Sequence, residues 1–123
     1  MDERTRWMSY KGKEILFNDY SGLTEQEILD RIKFNRAFIL EQNKKGIFLF
    51  VDVSRNTASV KIVSAFKEIA AAIQPLVGKS AVVGLNHIQK VILQGINRVS
   101  NLGIVPFESK VEALDWLAAE SRP

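Results

Sequence analysis

Residues 47–53, IFLFVDV, are apolar at every position except Asp52, and they do not alternate. A strand wetted on one side alternates apolar and polar residues, whereas a strand covered on both faces does not. This run therefore predicts an inner strand of a parallel sheet, which needs crossover connections and helices on its faces. The next segment supplies such a crossover. Ile62, Phe66, Ile69 and Ile73 recur at helical spacing with Val63 and Ala70 beside them. They predict a helix from about Ser59 to Gln74, stopped by Pro75.

The rest of the chain repeats the pattern. TRWMSY and EILFNDY, around Lys11-Gly12-Lys13, predict a hairpin over residues 5–19, with Gly12 in the turn. Thr24 followed by Glu27 is a capping box opening a helix, with Ile28, Leu29, Ile32, Ile39 and Leu40 on its stripe and an end near Asn43. Ser80–Leu85 reads as a strand, with Val82 and Val83 facing inward as Phe48 and Phe50 do. Asn86 caps a third helix whose buried face is expected to carry Ile88, Val91, Ile92, Ile96 and Val99, with stop residues at Asn101 and Gly103. Ile104–Phe107 is a short strand, placed at an edge because Pro106 cannot donate to a ladder. Ser109 with Glu112 is a second capping box. The last helix is expected to bury Val111, Leu114 and Leu117, with Trp116 at its margin. The expected fold class is α/β: an N-terminal β-hairpin followed by αβαβαβα around a largely parallel sheet with helices, drawn as a single domain over residues 1–123.

Composition excludes several function classes. The 123 residues hold no cysteine, so disulfide and thiolate chemistry are absent. A single histidine is too poor a ligand set for a metal site, and none is expected. The net charge of +3 is spread among interleaved acids, without the basic stripe that nucleic-acid binding requires. No unbroken apolar stretch is longer than that of Ile47–Val51, which falls far short of the roughly 20 residues of a membrane helix. The charged opening MDERTRW is not a signal peptide, and the expected location is cytoplasmic.

In open α/β sheets, ligands bind beyond the carboxyl ends of the strands. Those ends collect Asn18, Asp19, Tyr20 and Ser21, then Asp52, Ser54, Arg55, Asn56 and Thr57, then Asn86, His87 and Lys90. Helix N-termini point free N–H groups at the same edge, which favours an anion. Arg55 and Lys90 add positive charge. Each of these residues also has a plain structural role, since Asp, Ser and Asn commonly cap helices. Ser54, His87 and Asp19 could be written as a hydrolytic triad, but no nucleophile-elbow glycines flank Ser54. Gly78-Lys79-Ser80 lacks the upstream glycine of a phosphate loop and leads into a strand. No catalytic residue and no cofactor are assigned. Phe34 and Phe38 lie four residues apart, off the first helix's stripe. They either tuck under the hairpin or form an interface or a lid.

The segments ILFNDYSGLTEQEI, LFVDVSRN, AAAIQPLVGKSAVVGLNHIQKVILQGINRVSN and IVPFESKVEALDWLA, in this order, resemble the SpoIIAA-like branch of the STAS superfamily. That branch is often grouped with Sec14-type lipid-transfer domains. The resemblance implies a β-α superhelix. It also implies a non-enzymatic regulatory or protein-interaction module. STAS anti-sigma-factor antagonists carry Asp-hydrophobic-Ser and then Asp-Ser-Ser-Gly, where a serine is phosphorylated. Asp52-Val53-Ser54 resembles the first piece, but RNTAS stands where the second should be, so the phosphoserine switch is expected to be lacking. The expected partners are a protein or a second copy of the chain. The Sec14 side implies the alternative of a small-molecule or lipid-binding domain, its apolar ligand carrying an acidic head near Arg55, Asn56 and His87.

Overall fold

The structure, a computed structural model, describes residues 1–119. Residues 120–123, included in the expected domain, lie outside the described residues. The elements run β1 (Thr5–Tyr10), β2 (Lys13–Asp19), α1 (Glu25–Glu41), β3 (Ile47–Asp52), α2 (Val60–Ile73), β4 (Val77–Val83), α3 (His87–Ser100), β5 (Val105–Phe107) and α4 (Lys110–Ala118). The five strands lie in sequence order, with β1 antiparallel to β2 and every other pair parallel. The expected hairpin, the largely parallel sheet and the order of elements are all present.

Local chemistry explains most boundaries. Lys11 and Gly12 have φ of 48° and 80°, and positive φ at both central residues matches a two-residue hairpin turn to the twist of its strands. Thr24 and Glu27 form a complete capping box. Ser59 caps α2 by accepting from the Ile62 N–H. Asn86 and Gln89 form a capping box on α3, and Asn101 ends that helix with φ of 59°. The box expected on α4 is only half made. Ser109 accepts from the Glu112 N–H, but the Glu112 carboxylate reaches the Ser109 hydroxyl, not its backbone.

A constant strand order crossed in one direction puts the crossover helices on one face of the sheet. Helices α1 and α2 pack there on Leu16, Leu49 and Val51. Helix α4 follows the last strand and closes the opposite face, burying Ala113, Leu114 and Leu117 against Ile15, Phe17, Phe50, Ala81 and Val83. The inner strands are thus covered on both sides, as the unalternating run in β3 requires.

Four expectations need correction. Strand β4 begins at Val77 and ends at Val83, because a helical turn at 74–76 leads straight into pairing with β3 across a bulge near Ile47, and Gly84 turns the chain away. Helix α3 buries Leu93, Ile96 and Ser100, while Ile88, Val91 and Val99 are 71%, 56% and 67% exposed. Its sequence carries two adjacent apolar stripes, and the helix turns the other one to the sheet. Val111 and Leu40 are exposed for the same reason, lying one step off the faces that α4 and α1 bury. Phe48 and Phe66, expected in the core, are half-buried.

Candidate functional site

The face of the sheet covered by α1 and α2 contains an unusual row. Parallel register aligns Leu16 with Leu49 and Leu49 with Ser80, then Asn18 with Val51 and Val51 with Val82. Residues two apart on a strand share a face. Asn18 and Ser80 therefore stand among aliphatic side chains, with only 2% and 1% of their surface exposed. Buried polar atoms are nearly always hydrogen-bonded. Here the Asn18 Oδ1 and Ser80 Oγ have no partner among the described residues, and neither has the buried Oδ1 of Asn56.

These three oxygens belong to residues in the wall of one cavity. The cavity is about 120 Å³ and lies between the sheet, α2 and α3. From the sheet it is lined by Asn18, Leu49, Val51, Ser80 and Val82, and from the helices mainly by Ile62, Phe66, Ile69, Gln89, Leu93 and Ile96. No charged residue lines it. Phe66 is half-buried because it borders this space, with its ring edge-on to Tyr20 at a centroid distance of 5.1 Å. Thr57 and Ala58 are the exposed members of the lining, which places the mouth at the loop between β3 and α2.

The residues expected at the strand ends build this mouth. Asp52 is buried, and its Oδ1 accepts from the Ser54 N–H at 2.9 Å, shaping the turn. Its Oδ2 lies 3.8 Å from the Lys110 Nζ. Ser54 is pressed against Gly84: a Cβ at Gly84 would lie 2.5 Å from the Ser54 nitrogen and 2.6 Å from its Cα. Asn56 ties three elements together. Its Nδ2 donates to the Tyr20 carbonyl at 2.7 Å, and its own carbonyl accepts from Gln89 Nε2 at 3.2 Å. Arg55 is exposed with φ of 58°, and its guanidinium rests over Gly22. Among the described residues it forms no ion pair.

The remaining candidates are placed around the rim. Asn86 caps α3, and His87 is that helix's exposed first residue. Lys90 pairs with Glu108 at 2.5 Å. The α2 N-terminus lies beside an acid of the protein itself, since the Ser59 hydroxyl donates to the Glu25 carboxylate. Phe34 and Phe38 are away from the cavity. They stack with centroids 6.5 Å apart, with Phe38 packed on the core and Phe34 40% exposed under the Arg31 guanidinium.

A second polar cluster holds Tyr20 in place. Asn35 is fully buried in α1; its Nδ2 donates to the Tyr20 hydroxyl at 2.7 Å, and its Oδ1 accepts from the Thr5 hydroxyl. Burial drives the Tyr20 phenol pKa far up, while the bond from Asn35 opposes this in part, so the phenol stays neutral. Reading the sequence for chemistry missed the roles of Asn18 and Ser80. The available signal was a polar residue bordering each of two apolar strand runs, Asn18 after ILF and Ser80 before AVV.

No protein-family model matches the chain, and no curated protein matches it in sequence. Its fold is similar to that of a crystal structure of an uncharacterised DUF3478-family protein with a SpoIIAA-like fold from Shewanella loihica PV-4. The TM-score is 0.70 at 16% identity, over 93% of this chain and 92% of the other. The fold of the chain is therefore SpoIIAA-like, as the sequence segments implied. Among the described residues, no helix is long and apolar enough to cross a membrane.

Proposed function

We propose that the chain is a ligand-binding domain that takes a small, mainly apolar molecule into the cavity between α2, α3 and the sheet. One observation carries this reading: a cavity of about 120 Å³ with aliphatic walls and no charged residue in its lining lies between α2, α3 and the sheet, with the polar residues Asn18, Asn56 and Ser80 in its wall. Apolar walls with a few convergent polar groups are the usual form of a small-molecule site. In this reading Asn56 and Thr57 act from the wall and the mouth, and Arg55 stands at the rim. Asp52, Ser54, Asn86, His87 and Lys90 form the frame that holds the mouth. Native mass spectrometry of the chain purified from cells tests the proposal. A co-purifying small molecule, lost when the cavity is filled by Ala70→Leu or Val82→Phe, is the expected result. A clean protein mass, with no chemical-shift change at the cavity residues on titration with apolar probes, contradicts it.

A second reading, a STAS-type interaction module, is favoured by the outward stripe Ile88, Val91 and Val99 on α3. Three large aliphatic residues in line on one exposed helix face form a patch of the kind found at protein contacts. In this role the cavity ligand would tune a partner that docks on the same helix. The triple change Ile88→Gln, Val91→Gln, Val99→Gln should then abolish self-association in sedimentation velocity, or partner retention, with the far-UV spectrum kept.

A further inference from the structure

We propose that two copies of the chain pair along β1, antiparallel about a two-fold axis at Met8, so that their sheets join into one. No residue of β1 lines the cavity, so this surface is independent of the ligand-site reading.

An open sheet has two edges, and here only one can take a further strand. Strand β5 is three residues long with Pro106 at its middle, which cannot donate. Strand β1 is six residues long and pairs only with β2. Antiparallel ladders alternate pairs that exchange hydrogen bonds with pairs that do not. The Asp19 N–H donates to the Arg4 carbonyl at 2.7 Å, which sets the alternation. Arg6, Met8 and Tyr10 therefore bond β2, while Thr5, Trp7 and Ser9 aim their backbone groups outward. Asp2 already occupies Thr5. Its N–H donates to the Thr5 carbonyl at 3.0 Å, and its carboxylate accepts from the Thr5 N–H at 2.9 Å. Trp7 and Ser9 remain open to another strand.

The open stretch fits a copy of itself. Asp2 bounds it at one end and the Lys11-Gly12 turn at the other, with Met8 between Trp7 and Ser9. Pairing about Met8 sets Trp7 opposite Ser9 of the second copy, and the two exchange both backbone bonds. Met8 falls opposite its own copy. Arg6 falls opposite Tyr10 of the second copy, whose hydroxyl donates to Asp115 at 2.7 Å. Arg6 is exposed, and among the described residues it forms no ion pair. A cation thus approaches a carboxylate at each end of the paired strands, the self-complementarity that a two-fold interface demands.

Helix α1 extends the surface. Arg31, Phe34 and Phe38 follow at spacings of three and four, so they share one flank of the helix. Arg31 reaches Asp2 at 2.8 Å and the Thr5 hydroxyl at 3.3 Å, which sets this flank beside β1. Phe34, 40% exposed, borders the paired strands, and the second copy's α1 lies antiparallel on the same face. Strand bonds fix the register, and the aromatic flank supplies apolar surface to bury.

The chain has no cysteine, so one introduced thiol reports the pairing. Met8→Cys should give a disulfide-linked dimer under mild oxidation, because pairs of this kind hold their Cα atoms about 4.5 Å apart. Arg6→Cys should not, since the two copies of that position stand roughly 13 Å apart along the strands. Sedimentation velocity of the full chain should show a dimer at micromolar concentration. Ser9→Pro should make it a monomer with the far-UV spectrum kept, because the Ser9 N–H donates nothing to β2. Phe34→Ser, at an exposed position, should weaken the dimer by about tenfold or more. A monomeric chain, or equal crosslinking of the two cysteine variants, overturns the inference. A dimer that survives Ser9→Pro but is lost with the changes at Ile88, Val91 and Val99 places the interface on α3 and overturns it too.

Discussion

Two buried polar side chains show how differently the same burial can act. Asn35 is fully buried and satisfied, bridging Thr5 on β1 and Tyr20 beyond β2. Asn35→Leu keeps the volume but removes the acceptor of the Thr5 hydroxyl and the donor to the Tyr20 hydroxyl, so it should destabilise by roughly 2–4 kcal/mol. The urea midpoint should fall with the slope unchanged. Ser80 is as buried but has no partner among the described residues, so Ser80→Ala should change stability by less than about 1 kcal/mol, in either direction. Gly84 has φ of 93° and no space for a Cβ beside the Ser54 backbone. Gly84→Ala combines backbone strain with overpacking and should cost about 3 kcal/mol or more in the same urea experiment. Its effect should be strongest at the loop from Val53 to Ser59, visible as faster amide exchange there.

Among the elements, α3 is the most informative. Its apolar residues supply two neighbouring stripes, and only one of them meets the sheet. Leu93→Ala should cost roughly 2–4 kcal/mol, because it removes a buried side chain and enlarges a space that cannot collapse. Ile88→Gln should stay within about 0.5 kcal/mol, as surface substitutions do. Thermal unfolding of the two variants checks the assignment of faces directly. Phe66→Ala should cost roughly 2–3 kcal/mol. Its ring is half-buried beside the cavity, but it loses the edge-on contact with Tyr20.

Across the whole molecule, the N-terminal hairpin and the last helix are joined at one carboxylate. Asp115 on α4 accepts from the Lys11 Nζ at 2.8 Å and from the Tyr10 hydroxyl at 2.7 Å. The bond from Lys11, then the bond from Tyr10, hold its pKa below the ordinary Asp value. A carboxylate whose folded pKa is depressed contributes stability above its unfolded pKa and loses it as pH falls through the folded one. The contact should therefore be intact at neutral pH and loosen only in acid, below about pH 3.9. Because the pair is exposed, the effect is local and weakened by salt. An NMR titration of Asp115 should show a midpoint under the ordinary Asp value, and Lys11→Met should raise it.

Much of this protein was legible in local chemistry. The caps at Thr24, Ser59, Asn86 and Ser109, the Lys11-Gly12 turn and the unalternating β3 run act within a few residues, so the chain itself determined the element order and the parallel sheet. Strand ends were less legible, as β4 shows, because pairing across a bulge with β3 is not a local property. Helical periodicity states which residues share a face but not which face meets the sheet. That choice depends on neighbours distant in sequence, and it turned Ile88, Val91 and Val99 outward. The cavity could not be read from the chain for the same reason. Asn18, Asn56 and Ser80 lie on β2, a loop and β4, and only strand register and helix packing bring these residues to one wall.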